Sequence, residues 1–379
     1  MRNAGETAAT EASKSAPAPR ANPDLIGHAD AEHDLRRLFE AGRLPHALLL
    51  SGPRGIGKAT LAFRLARFVL LHAAATSAPD LFAPSSEVGA SRAGGDEGLA
   101  VPPDSGTFRR VAAGSHADLL TVERGYDPRR RRLRGEIVVD DTREVAAFLR
   151  LTAAEGGWRV VIVDGADMMN RNAANALLKI LEEPPPRTVL LLVAHSVGRL
   201  LPTIRSRCRH LALRPLPTTQ LRQLLRRYRP DLAEPQAEAL LALAAGSIGR
   251  ALDLAASGGV ALYEEVLALL RDEGGLDAVR LHGFADRLAR NDADDSYRVV
   301  EDLLAQLLAD FALMAAGHEA AEGARGGAAL RHLAGRAPAA RWAELRDAIG
   351  RDFARTDALN LDRKQTVLGA FLAIDGTRG

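Results

Sequence analysis

Residues 51–60, read S-G-P-R-G-I-G-K-A-T, combine residue types that bind phosphate. Glycines let backbone N–H groups surround an anion, and a helix starting after them adds the partial positive charge of its N-terminus. Lys58 supplies a compact positive charge for the phosphate. The next residue, Ala59, lacks the hydroxyl that would bind Mg²⁺ at this position. The hydroxyl of Thr60 cannot replace it, because Thr60 lies one residue later and so about 100° further round the helix. We predict a phosphate cradle for ATP or ADP, poorly suited to Mg²⁺-dependent hydrolysis; a loop kept only as a fold element is the alternative. The candidate nucleotide-binding residues here are Gly52, Pro53, Arg54, Gly55, Ile56, Gly57, Lys58, Ala59 and Thr60.

The flanking residues supply the elements that would position this loop. The run 47–50 before it is short and continuously apolar, as expected of a buried parallel strand. After it, Leu61, Leu65, Phe68 and Val69 recur at helical spacing. A strand, a glycine-rich loop and a helix in this order are the context in which the motif G-x-x-x-x-G-K is informative.

A candidate acidic residue ends a second apolar run, V-V-I-V-D-G-A-D at residues 160–167. A continuous β-branched run suits a strand that is buried on both faces. Asp164 would then lie at the carboxyl end of a central strand, where α/β sheets bind ligands, and could face a nucleotide-bound metal ion. The alternative is an ordinary helix cap or loop acid.

Apolar runs that alternate with helical patterns predict an α/β fold with a doubly wound, five-stranded parallel sheet, followed by helices only. The expected strands lie near residues 47–50, 118–122, 159–163, 188–194 and 209–213. The expected division is a disordered tail at 1–22, the α/β domain at 23–214 with a mobile insertion at 73–114, a small helical domain at 215–258, and a helical packing or oligomerisation domain at 259–379.

The composition excludes several classes of protein. The net charge is only +2, so binding of nucleic acid would need a local patch, and an aromatic content of 4% argues against a base-stacking platform. Cys208 is the single cysteine, which excludes an internal disulfide or a cysteine-rich zinc site. No apolar run is long enough to span a bilayer and no signal-peptide core is visible, so we expect a cytoplasmic protein.

Arginines at 129–132 form the most basic run of the chain. A contact with DNA and a solvated loop or hairpin tip both fit such a run. The sequence leaves the two alternatives open for Arg129, Arg130, Arg131 and Arg132.

Four motifs together resemble the bacterial clamp-loader branch of the AAA+ ATPases. They are H-A-L-L-L-S-G-P-R-G-I-G-K-A-T at 46–60, N-A-L-L-K-I-L-E-E-P-P at 175–185, L-L-P-T-I-R-S-R-C at 200–208 and N-L-D-R-K-Q at 360–365. The resemblance covers the chain from Pro23 onward, apart from the insertion. It implies a nucleotide-binding-type domain, a helical lid at 215–258 and a helical collar at 259–379 within a pentameric ring. Such a ring uses ATP to open the sliding clamp and to close it on primed DNA.

The resemblance also implies a role for the S-R-C tripeptide, Ser206, Arg207 and Cys208. In this branch the arginine reaches the ATP site of a neighbouring motor subunit. A guanidinium placed against the γ-phosphate stabilises the charge that develops during phosphoryl transfer. An ordinary surface ion pair is the alternative for Arg207.

Four departures from the motor members of the branch bear on hydrolysis. Ala59 lacks the hydroxyl, and Asp164-Gly165-Ala166-Asp167 replaces D-E-A-D and so lacks the acid that would polarise water. The lid arginine of G-S-x-R is replaced by Gly249 and displaced to Arg250, and Ala194-His195-Ser196 stands where a threonine faces the γ-phosphate. Since phosphoryl transfer needs positioning and charge stabilisation together, we predict a noncatalytic subunit of the replicative polymerase holoenzyme.

The four-cysteine zinc module that many members of the branch carry is absent, so we expect no zinc and no other metal. The partners that the resemblance implies are motor subunits of the gamma/tau type, a delta subunit, the sliding clamp and, through the assembled complex, primed DNA, with no membrane. The competing hypotheses are a motor-type AAA+ ATPase that uses Lys58 and Asp164, and a scaffold in another AAA+ assembly.

Overall fold

The computed structural model describes residues 16–77, 98–127, 132–155, 157–271, 275–290, 293–318 and 327–378. The chain divides into two compact units. The first, called here the sheet unit, comprises Met1–Leu224 and Gly246–Ile248, and the second, the helical unit, comprises Leu225–Ala245 and Gly249–Gly379. The finer division into a lid and a collar stays a prediction.

The sheet unit contains a five-stranded parallel sheet, and all five predicted runs are strands in it. This confirms the predicted fold class. The strands near the centre are buried along their whole length, which explains their continuous apolar runs. The strand order is β2–β5–β6–β1–β7, with β1 Ala47–Ser51, β2 Leu119–Val122, β5 Arg159–Asp164, β6 Thr188–Ala194 and β7 Arg209–Ala212.

Helices cover both faces of this sheet. Alternate residues of β5 enter different cores: Val160 and Ile162 pack on one side, and Val161 and Val163 pack on the other. Each face therefore has its own apolar cluster, as expected of a doubly wound sheet. The helices are α1 Ala29–Glu40, α2 Lys58–Ser77, α3 Gly106–Ala112, α4 Val139–Arg150, α5 Arg171–Glu182 and α6 Pro202–Arg205. The next helix, α7 Thr218–Tyr228, begins in the sheet unit and ends in the helical unit.

Part of the expected mobile insertion at 73–114 is ordered, and the expectation is wrong for that part. Helix α2 continues to Ser77, and residues 98–114 contain α3, whose N-terminus is capped by the Ser105 hydroxyl. Leu99 and Phe108 are buried against the α2 side of the sheet. These apolar residues are too widely spaced to show a periodic pattern in the sequence. The segment is ordered because they pack against residues elsewhere in the chain. Residues 78–97 lie outside the described part.

The expected disordered tail at 1–22 is likewise wrong for residues 16–22. A short 3₁₀ turn spans Pro19–Ala21, and the carbonyls of Arg20 and Asn22 accept hydrogen bonds from Arg67 of α2. Arg67 is 1% exposed, and its guanidinium also lies 4.5 Å from the centre of the Phe108 ring. A buried guanidinium that needs acceptors thus orders this segment. Residues 1–15 lie outside the described part.

The arginine run lies beside a small hairpin. Strand β3, Tyr126–Asp127, pairs antiparallel with β4, Arg132–Leu133. This places Arg132 in a hairpin strand, while residues 129–131 lie outside the described part. The two alternatives for the run, a DNA contact and a solvated hairpin tip, stay as the sequence leaves them.

The helical unit is built around long helices with large buried apolar side chains such as Phe311, Trp342 and Phe353. The N-L-D-R-K-Q motif joins several of them: Arg363 pairs with Asp294 and Asp357, and Lys364 pairs with Asp286. No helix in the described part of the chain is both long and apolar enough to cross a bilayer. The helices are α8 Glu234–Leu243, α9 Ile248–Ala256, α10 Gly259–Arg271, α11 Ala278–Leu288, α12 Asp294–Ala315, α13 Gly327–Ala334, α14 Ala339–Leu359 and α15 Arg363–Asp375.

Candidate functional site

The glycine-rich loop between β1 and α2 has the backbone conformation that its sequence predicts. Gly52, Gly55 and Gly57 adopt φ values of +140°, +76° and +106°, which L side chains rarely adopt. A Cβ at position 52 would also collide with the backbone carbonyl of Leu213. Helix α2 begins at Lys58, so its N-terminus faces the loop. The loop therefore has the shape of an anion cradle.

Lys58 is folded back onto the loop. Its Nζ donates hydrogen bonds to the carbonyls of Gly52, at 2.7 Å, and Pro53, at 2.5 Å, and the residue is only 3% exposed. Burial lowers the pKa of Lys58 to about 8, against the opposing charges of Asp164 and Asp167. Of the other candidate residues, Pro53 and Arg54 are exposed, Gly55 and Ala59 are partly exposed, and Ile56 and Thr60 are buried.

Two residues that sequence reasoning missed brace the loop from outside. The Nε2 atom of the buried His28 hydrogen-bonds the carbonyl of Ile56 at 2.8 Å, and the hydroxyl of Ser247 donates to the carbonyl of Arg54 at 2.7 Å. His28 follows residues 23–27, P-D-L-I-G, where the resemblance to the clamp-loader branch begins, and Ser247 belongs to the G-S-x-R pattern. Their positions in these motifs were the available signal.

Two carboxylates, Asp164 and Glu123, lie side by side at the carboxyl ends of β5 and β2. Burial raises the pKa of Asp164, at the end of β5, and the charge of Glu123 raises it further, while Lys58 opposes the shift. Glu123 follows β2 directly, and the pairing of Val122 with Val163 sets it beside Asp164. The structure thus brings Asp164 close to Lys58 and adds a second carboxylate, Glu123, that the sequence did not reveal.

Asp167 fixes the neighbouring strand end. Its carboxylate accepts hydrogen bonds from the backbone N–H groups of His195, at 3.0 Å, and Ser196, at 2.9 Å. Burial, followed by the charge of Lys58, lowers the pKa of His195 to about 4, so its imidazole is neutral at neutral pH. Among the described residues, no group of three or more His, Cys, Asp or Glu side chains is placed to hold a metal ion.

The displaced lid arginine is engaged within the helical unit. Arg250 lies next to Gly249 in α9, and its guanidinium donates to the side chain of Gln306, at 3.5 Å, and to the carbonyl of Asp302, at 3.3 Å. Both acceptors belong to α12. Arg250 therefore has a structural task in its own unit.

The S-R-C tripeptide follows α6 and presents its arginine at the surface. Arg207 donates from Nη1 to the carbonyl of Thr203 at 3.0 Å, and its Nη2 lies 2.6 Å from Oε1 of Glu182; its side chain is 35% exposed. The hydroxyl of Ser206 also donates to the Thr203 carbonyl, at 3.1 Å. Cys208 is buried, and burial raises its pKa to about 11, so it carries a neutral thiol.

The structure therefore separates the predicted site residues into two groups. The glycine-rich loop, Asp164 and their braces form one cluster. Arg207, Ser206 and Cys208 form another, which the structure joins to Glu182 of the N-A-L-L-K-I-L-E-E motif. The side chain of Arg207 contacts Glu182, Ser206 and the Thr203 carbonyl.

Comparison with known proteins gives matches to subunits of one bacterial polymerase. The family model described as DNA polymerase III, delta subunit, matches residues 97–217. DNA polymerase III subunit delta' of Pseudomonas aeruginosa is 40% identical over 205 residues, which are 53% of this chain and 53% of the relative. The Escherichia coli subunit delta' is 34% identical over 218 residues, 57% of this chain and 56% of the relative.

Matches extend to a second kind of subunit and to solved structures. DNA polymerase III subunit gamma/tau of Mycobacterium tuberculosis is 32% identical over 209 residues, 55% of this chain and 31% of the relative. A gamma subunit-related protein of Thermotoga maritima has a solved structure with 18% sequence identity and a TM-score of 0.42, covering 92% of this chain and 99% of that one. The chain spans about half the length of the delta' relatives and about a third of the gamma/tau relative. Over about half of its length the chain is thus similar to DNA polymerase III subunit delta', in agreement with the resemblance that the sequence motifs indicate.

Proposed function

We propose that this chain is a delta'-like subunit of the clamp loader of the DNA polymerase III holoenzyme. It assembles with gamma/tau-type motor subunits and a delta subunit into a hetero-oligomer, and this complex loads the sliding clamp onto primed DNA during replication. Within the complex, the chain supplies Arg207 in trans to the ATP site of a neighbouring motor subunit. Its own loop does not hydrolyse ATP.

The observation that carries this proposal is the position of Arg207. Its guanidinium lies at the surface and rests on a partly exposed carboxylate. Exposed ion pairs of this kind contribute about 0 to 1 kcal/mol, whereas an arginine finger accelerates phosphoryl transfer by roughly 10³ to 10⁵-fold. The stabilisation that Arg207 would provide at a neighbour's phosphate is therefore larger than the stabilisation lost with its ion pair to Glu182.

The condition of the chain's own loop supports the second half of the proposal. Lys58 satisfies its charge on the carbonyls of Gly52 and Pro53, and Asp167 is engaged in holding the end of β6. Ala59 and Gly165 offer no metal-binding hydroxyl and no acid to activate water. ATP or ADP binding without turnover is compatible with this site, and calorimetry with and without Mg²⁺ should then give similar affinities.

The proposal is tested by reconstituting the complex with cognate gamma/tau-type and delta subunits. Arg207→Ala should slow hydrolysis at the site that receives this arginine by about 10³-fold, seen in single-turnover assays, while gel filtration shows intact assembly. Arg205→Ala, at an exposed arginine of α6, is the matched control and should leave turnover unchanged. Unchanged hydrolysis with Arg207→Ala would refute the role in trans. Turnover by the isolated chain at ordinary rates would favour the motor-type ATPase.

A further inference from the structure

Glu182 and Arg207 join two motifs that are separated in the sequence. Glu182 is the last residue of α5, and Arg207 follows α6. Their 2.6 Å ion pair, together with the 3.0 Å hydrogen bond from Arg207 to the Thr203 carbonyl, holds the guanidinium from two directions. A long side chain anchored at both Nη atoms has few remaining rotamers.

The stability of α5 does not account for Glu182. A carboxylate in the last turn of a helix is repelled by the partial negative charge of the exposed carbonyls there. Buried side chains such as Leu177 and Leu181 already fix this end of the helix to the sheet, and three prolines stop it after Glu183. The position of Glu182 is unfavourable for the helix but places an anion against Arg207.

We propose that the Glu182 carboxylate positions the Arg207 guanidinium for its contact with a nucleotide phosphate on a neighbouring subunit. This inference rests on the function proposed above. A guanidinium has five N–H donors in a rigid fork. The contacts with Thr203, Ser206 and Glu182 use Nη1 and Nη2, and donors remain for the oxygens of a phosphate.

The Glu182–Arg207 ion pair could either position the guanidinium or keep it from reaching a neighbour's phosphate, and its exposure to water favours positioning. The two side chains are 35% and 50% exposed, so water screens their attraction. A pair this weak limits the conformations of Arg207 but does not hold it back from a multiply charged phosphate. Glu182 therefore acts by keeping the arginine ordered before the neighbour's nucleotide is engaged, which lowers the entropy lost on contact.

The reconstituted complex tests this role through steady-state ATPase measurements over a range of ATP concentrations. Glu182→Gln and Glu182→Ala should each lower kcat at the receiving site by about three- to fivefold, with KM within twofold of the wild-type value. Glu183→Gln is the control, because Glu183 is exposed and carries the same charge at the same helix end. It should leave both parameters unchanged.

A double-mutant cycle separates this role from a structural one. If Glu182 acts through Arg207, adding Glu182→Ala to Arg207→Ala should change nothing further, whereas an independent structural role would reduce activity again. Wild-type or increased kcat in Glu182→Ala, with Arg207→Ala still impaired, would overturn the positioning role and leave the proposed function intact. Full activity of Arg207→Ala would overturn both.

Discussion

Lys58 and Arg207 are the two cations that the sequence marks for phosphate chemistry, and the structure holds them in opposite ways. Lys58 is 3% exposed and donates to two carbonyls of its own loop, whereas the side chain of Arg207 is 35% exposed and is held by one carboxylate and one carbonyl. The lysine is thus part of the fold, and the arginine is accessible to a partner. A sequence motif therefore predicts the position of a cationic side chain, whereas the hydrogen bonds of that side chain indicate whether it can contact another molecule.

The contrast predicts that changes in the glycine-rich loop act on stability, and the largest effect is expected at Gly52. Gly52→Ala introduces a side chain at φ +140° that meets the Leu213 carbonyl, so the sheet unit should lose about 3 kcal/mol of unfolding free energy. Urea unfolding followed by Trp158 fluorescence measures this in a Trp342→Phe background, because the chain has two tryptophans. Gly106→Ala, where a Cβ meets nothing within 4 Å, is the control and should change stability little. If Gly52→Ala and Gly106→Ala changed the unfolding free energy equally, the conformation of the loop at Gly52 would not be needed for the stability of the sheet unit.

The buried charge of Lys58 should make stability depend on alkaline pH. The unfolded chain keeps this proton up to pH 10.5, whereas the folded chain releases it near pH 8. Since the unfolded state binds more protons in this window, stability should rise from about pH 8 to 10.5, by the order of 3 kcal/mol. Lys58→Met should abolish this rise, while Lys179→Met, at an exposed lysine, should retain it. Parallel curves for wild type and Lys58→Met would contradict the buried state of this lysine.

A smaller effect is expected where Ser247 braces the loop. Ser247→Ala leaves the Arg54 carbonyl without this 2.7 Å hydrogen bond, and the sheet unit should lose about 1 kcal/mol. The same urea titration measures it. Ser115→Ala removes an exposed hydroxyl from the same unit and should stay within about 0.5 kcal/mol of wild type. A Ser247→Ala variant as stable as this control would show that the brace is dispensable.

The smallest change in stability is expected at Arg207. Arg207→Ala breaks a partly exposed ion pair and the surface hydrogen bonds to Thr203 and Ser206, so unfolding free energy should shift by less than about 0.5 kcal/mol. The same variant carries the large loss of hydrolysis expected in the assembled complex. A loss of stability above about 1 kcal/mol would instead place Arg207 among the residues that maintain the fold.

The sheet and its glycine-rich loop could be predicted from the sequence because each depends on neighbouring residues. Continuous apolar runs such as residues 188–194 give buried strands, and the loop glycines adopt the conformations that the motif requires. The order of residues 98–114 was missed because Leu99 and Phe108 gain their packing partners from α2, far away in the sequence.

The candidate site was predicted only in part for the same reason. Lys58 and Asp164 are placed together as the motifs indicate, but the contacts of His28 and Ser247 with the loop join distant segments. The Glu182 contact of Arg207 likewise depends on where α5 ends relative to α6, which spacing alone does not give. Motifs identified the chemistry, and the three-dimensional contacts assigned it to particular side chains.

The left-handed backbone at Gly165 restricts which residues can occupy the turn after β5. Position 165 is where a motor member carries the water-activating glutamate, and here its φ is +83°, in a region that disfavours any residue with a Cβ. A Gly165→Glu change would restore the side chain but strain the main chain beside the Asp167 clamp. The turn after β5 therefore favours glycine over any residue with a Cβ, and an acid at this position would cost about 1 to 2 kcal/mol in backbone strain.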